Sequence, residues 1–100
     1  MTEELELIAE HIRNGIEDTG QFTATKGAGV TRLPFTQEAR ECADYLYRKM
    51  SELGLRVSQD ASGAVVGVLE GRSPERIMIG SHLDSVRHGG AYDGMAGIFC

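Results

Sequence analysis

Ile77-Met78-Ile79-Gly80-Ser81-His82-Leu83-Asp84 decides how this chain is read. Three apolar residues in a row predict a central strand buried on both faces. The strand runs directly into a His-x-Asp. After a glycine-rich gap, Gly89-Gly90-Ala91-Tyr92-Asp93-Gly94 brings a second carboxylate. In open α/β sheets, sites form beyond the carboxyl ends of the strands, and His82 falls at such an end. In extended backbone residues i and i+2 share a face, so His82 and Asp84 are expected to project together. A metal-bound imidazole commonly gives its other ring N–H to a carboxylate, a role open to Asp84. The glycines let the chain turn tightly and return Asp93 to the same place. A carboxylate there can bridge two cations about 3.5–4 Å apart, as in hydrolytic sites. The bland alternative is a chance His-x-Asp followed by an Asp-Gly turn.

Upstream of that stretch, the pattern predicts two more strands. Leu55, Val57 and Gln59 alternate with Arg56, Ser58 and Asp60, and Ala64 to Leu69 follows an Asp60-Ala61-Ser62-Gly63 turn. The connectors at 60–63 and 71–75 are too short for parallel crossovers. They predict antiparallel neighbours, with the first and third strands parallel.

Further upstream lie two amphipathic helices. Leu5, Ile8, Ile12 and Ile16 mark the first, over residues 3 to 17, with glutamates at its start. Thr36 is a good N-cap for the second, over 37 to 53. Its stripe is Ala39, Cys42, Ala43, Leu46, Met50 and Leu53, and Gly54 is its stop. Cys42 and Met50 therefore read as core rather than as ligands. His11 reads as solvated surface, and His88, at a loop tip, as surface rather than ligand. Residues 18 to 35 form a long loop with Gly20, Gly27, Gly29 and Pro34, and it contains Thr31-Arg32-Leu33. The fold class expected is α/β: two helices packed on a small mixed sheet.

Composition sets outer bounds. The 100 residues are 41% hydrophobic and 25% charged, which reads as one soluble globular domain. A formal net charge of -5 argues against a nucleic-acid partner. No apolar run approaches the roughly 20 residues of a membrane span. The acidic start predicts no secretory signal. Cys42 and Cys100, far apart and outside any CxxC, read as free thiols in a reducing cytoplasm.

The two motifs, Gly80 to Val86 and Gly89 to Ile98, resemble the metal-binding signature of the M20 metallopeptidase superfamily. Gly29-Val30-Thr31-Arg32-Leu33, the Glu/Arg/Ala-rich helix leading to Gly54-Leu55, and the Asp60 to Gly63 turn bring the resemblance closest to its amidase branch. That branch holds the N-carbamoyl-L-amino-acid hydrolases and allantoate amidohydrolases. The resemblance runs from about residue 11 through nearly the whole chain. It implies residues 1–100 as the N-terminal segment of a zinc-peptidase-like catalytic domain, without the lid or dimerisation domain. It implies two divalent cations, zinc or manganese, with His82 ligating one and Asp93 bridging both. Asp84 becomes the carboxylate regarded in the family as catalytic. A cis peptide is implied at Asp93-Gly94. Ala64 and His88 stand where many relatives have Asn. The family completes its site with a downstream Glu-Glu pair and further histidines, which do not occur before Cys100.

Two classes of function follow. One is a metal-dependent amidohydrolase that cleaves linear carbamoyl or ureido C–N bonds in a small molecule, or its aminoacylase or peptidase relative. The other is a folded module without turnover. For the isolated chain the expectation is negligible activity and self-association through an uncovered strand.

Overall fold

The computed structural model describes residues 2–100. Its elements in chain order are α1 (Glu3–Thr19), α2 (Gln37–Glu52), β1 (Arg56–Gln59), β2 (Val65–Val68) and α3 (Met95–Phe99).

Both long helices start on a threonine. The Thr2 hydroxyl accepts the Leu5 N–H at 3.3 Å, and Glu3, Glu4 and Glu6 fill the positive first turn of α1. The Thr36 hydroxyl accepts the Ala39 N–H at 3.2 Å while donating to the Leu33 carbonyl at 2.7 Å. Leu53 caps the end of α2, and Gly54 follows with φ +88, a left-handed conformation that glycine adopts without Cβ strain. Each apolar stripe is covered only in part. On α1, Ile16 is buried and Ile12 packs beside it, but Leu5 and Ile8 are exposed. On α2, Ala39, Cys42, Ala43 and Leu46 are buried, while Leu53 is exposed.

The core lies among the helices. Ile16, Cys42, Leu46 and Met95 form its buried centre, ringed by Ile12, Phe22, Tyr45, Leu83, Ile98 and Phe99. Cys42 is thus a core residue, as its stripe position predicts, and burial pushes its thiol pKa up against the opposing pull of Arg32. Gly15 allows α3 to approach α1, since a Cβ there would overlap the Phe99 ring. α2 also meets the hairpin. Gly67 faces the Met50 sulfur and Leu55, each 3.0 Å from where a Cβ would stand.

β1 and β2 pair antiparallel, with Arg56 opposite Val68 and Gln59 opposite Val65. Asp60 closes the turn. Its carboxylate accepts from the Ser62 N–H, the Ser62 hydroxyl and the Ala64 N–H at 2.6–3.0 Å.

The sheet departs from expectation. It has two strands and is purely antiparallel, not mixed. Residues 77–79 form no strand, and Ile77, Met78 and Ile79 are 90–95% exposed. The physical reason is that a strand buried on both faces needs elements above, below and beside it. Among the described residues, none occupies those positions. The apolar sequence records what the segment requires, and this chain does not supply it.

Candidate metal centre

The site is built by two loops crossing. Residues 28–32 run antiparallel to residues 85–89. Val30 and Gly89 exchange backbone bonds at 2.8 Å in both directions. Ser85 N–H donates to the Arg32 carbonyl at 2.8 Å, and the Arg32 N–H donates to the Ser85 hydroxyl at 2.8 Å. Gly29 is required at this crossing, because it sits at φ +76 and a Cβ would lie 2.8 Å from the His88 carbonyl carbon. His88 itself has φ 51 and places its Nδ1 2.7 Å from the Ala28 carbonyl. It therefore braces the loop and stays on the surface, as its position predicts.

His82 stands between the two aspartates. Its Nδ1 lies 3.0 Å from the Asp84 carbonyl oxygen and 3.2 Å from the Asp84 carboxylate. Its Nε2 lies 3.6 Å from the Asp93 carboxylate. The three residues come together, but they do not surround one point. Among the described residues, no group of three His, Cys, Asp or Glu side chains can share one ion. The aspartates face opposite nitrogens of one ring, with Asp84 at Nδ1 and Asp93 at Nε2.

Nδ1 faces two oxygens, the Asp84 carbonyl and carboxylate, and can donate to either. Nε2 faces the Asp93 carboxylate at 3.6 Å. A proton on Nε2 would make that contact an ion pair, and a cation held by both groups would take the proton's place. Both atoms can lie within about 2.0–2.2 Å of one zinc-sized ion, so the residues fit a metal. Asp84 then holds the far side of the ligating ring. All three side chains are about half exposed, so the gap is open to solvent.

Gly94 makes the approach possible. It has φ +73, and a Cβ there would strike the His82 carbonyl oxygen and lie 2.8 Å from the ring. Ser81 adds a tie from its hydroxyl to the Gly94 carbonyl at 2.7 Å. The cis peptide implied at Asp93-Gly94 is absent, since no described peptide bond is cis.

Sequence reasoning missed Arg32, Ser85 and Ser81. Arg32 stood inside a noted motif, but its burial carried no signal in composition or periodicity. The two serines had none.

No protein-family model matches the chain. Curated relatives do. Over 94 residues, 92% of the chain, it is 44% identical to an N-carbamoyl-L-amino-acid amidohydrolase of Paenarthrobacter aurescens, spanning 23% of that protein. Over 93 residues it is 38% identical to an allantoate amidohydrolase of Bacillus subtilis, covering 91% of the chain and 23% of the relative. Among solved structures, a hydantoinase/carbamoylase family amidase from Burkholderia ambifaria superposes with a TM-score of 0.80 at 31% identity. That match covers 88% of the chain and 22% of the solved one. The chain thus spans less than a quarter of the length of the relatives it matches, and over nine-tenths of its own length it is homologous to these amidohydrolases.

Proposed function

We propose that this chain carries part of the catalytic domain of a binuclear metal-dependent amidohydrolase, acting on linear carbamoyl or ureido C–N bonds such as those of N-carbamoyl-L-amino acids or allantoate. Two features support the reading: homology to proteins named for those activities, and the facing Nε2 and carboxylate of His82 and Asp93. The first carries it; the second is a contact that a shared cation could occupy. His82 would hold one ion through Nε2, and Asp93 would bridge two. Asp84 would take the Nδ1 proton's hydrogen bond and keep the ring turned toward Asp93. When bound, zinc or manganese would polarise the substrate carbonyl and lower the pKa of water. Two donors alone hold a cation weakly, so negligible turnover is expected of the 100-residue chain.

A cytoplasmic location belongs to this proposal, supported by the two free thiols. No described helix is long and apolar enough to cross a membrane. A second reading, a non-catalytic module that associates with itself, is favoured by one observation: the exposed apolar segment Ile77-Met78-Ile79.

Titration of the chain with Zn²⁺ and Mn²⁺, followed by calorimetry and amide NMR, tests the first reading. Saturable binding should perturb residues around 82 and 93. It should vanish in His82→Ala and Asp93→Ala, and weaken about 10–100-fold in Asp84→Ala. Binding unchanged in His82→Ala would sink it. Robust ammonia release from allantoate by the pure chain would refute the expectation of inactivity. Sedimentation velocity across a wide concentration range tests the second reading, and a compact monomer throughout would end it.

A further inference from the structure

Arg32 is 2% exposed, the largest side chain sealed in the interior. Its Nε donates to the Leu83 carbonyl at 2.8 Å. Its Nη1 donates to the carbonyls of Thr19 and Phe22, both at 2.8 Å. Among the described residues it makes no ion pair with a carboxylate. Its charge is met by carbonyl dipoles instead, one of them at the negative C-terminal end of α1.

Burying an arginine is costly, since its charge must leave water. What the guanidinium supplies is direction. Its donors leave a rigid plane at fixed angles, so it locks separate carbonyls into one arrangement. One of those carbonyls belongs to Leu83, between His82 and Asp84. The segment around it has no sheet ladder to hold it: residues 70–84 pair with no strand. The backbone of Arg32 adds the paired bonds to Ser85, whose hydroxyl also donates to the Val30 carbonyl at 2.9 Å.

We propose that Arg32 is a positioning residue of the metal centre. It pins the His82-Leu83-Asp84 segment to the end of α1, and so sets the His82 ring against Asp93. The proposal rests on the reading of His82 and Asp93 as cation ligands.

The test uses the full chain with Arg32→Lys, Arg32→Met and Ser85→Ala. Leu46→Ala, a core truncation that removes no hydrogen bond of the site, is the control for lost stability. Zn²⁺ affinity and, without metal, backbone ¹⁵N relaxation of residues 82–85 are measured. Both Arg32 variants should raise the Zn²⁺ dissociation constant about 10–100-fold. Lysine should not rescue, because it keeps the charge and loses the fork. Relaxation should show residues 82–85 loosened while 56–68 stay as before. Leu46→Ala should change neither readout comparably. Wild-type affinity in folded Arg32→Lys and Arg32→Met overturns the proposal, as does an equal loss in Leu46→Ala. If the Arg32 variants do not fold, Ser85→Ala decides, with a smaller change in the same direction expected and wild-type behaviour refuting it. If the wild-type chain binds no Zn²⁺ at His82, the metal reading fails. Relaxation then judges Arg32 alone: loosening at 82–85 upholds the pinning, and unchanged relaxation overturns it.

Discussion

Two regions of this molecule reverse the usual relation of polarity to burial. In one, where residues 28–32 cross 85–89, the most polar side chain of all is sealed inside. In the other, Ile77, Met78 and Ile79 stand almost wholly in solvent. The crossing is complete because every group in it has a partner within the chain. No described buried side-chain nitrogen or oxygen lacks a hydrogen bond. The apolar segment has none, since packing needs surfaces on several sides at once. Burial is a property of a residue's partners before it is a property of the residue.

The sharpest way to break this contrast is to exchange the two kinds of residue. Arg32→Met should destabilise the chain by about 2–4 kcal/mol in urea unfolding, because three carbonyls lose a charged donor. Replacing Ile77, Met78 and Ile79 together by serine should change stability by less than about 0.5 kcal/mol, and should reduce self-association in sedimentation. If the serine variant proves the less stable of the two, the contrast is false.

Gly94→Ala comes next. The methyl group meets the His82 carbonyl and ring, and alanine is strained at φ +73. A loss of about 1–3 kcal/mol is expected, together with loss of cation binding. Unaltered binding would mean that His82 does not depend on its closeness to Gly94.

The smallest effect belongs to the hairpin, which is held locally and should not sense the crossing. Bonds from the Ser62 hydroxyl and the Ala64 and Ser62 N–H groups hold the Asp60 carboxyl below its ordinary value of 3.8. A carboxylate depressed in the folded state stabilises above its unfolded pKa, and that contribution fades as pH falls through the lower folded value. Acidification below about pH 4 should therefore loosen the turn. Amide shifts of Ser62 and Ala64 should follow that titration, and in Asp60→Asn they should stay flat.

Sequence patterning was a good guide where structure is local. Thr36 caps α2, Gly54 follows its end, and the Asp60 turn joins two strands, because each needs only neighbours a few residues away. The His-x-Asp and the glycines fix short-range directions, and His82 lies near both Asp84 and Asp93. Patterning failed at 77–79, where an apolar run implies burial without saying by what. Arg32 was invisible as a buried residue for the same reason: its partners Thr19, Phe22 and Leu83 share no period with it.

The bonds between Arg32 and Ser85 join residues 53 positions apart. Closing a loop of that length costs about 3.5 kcal/mol in chain entropy, before any reward from the contacts it allows. The β1–β2 hairpin closes across a few residues, a step of about 1–10 μs. The crossing must therefore form late in folding and open early in unfolding. In a pulse-labelled refolding experiment, hairpin amides should gain protection first, and the Ser85 amide only once the distant loops have met.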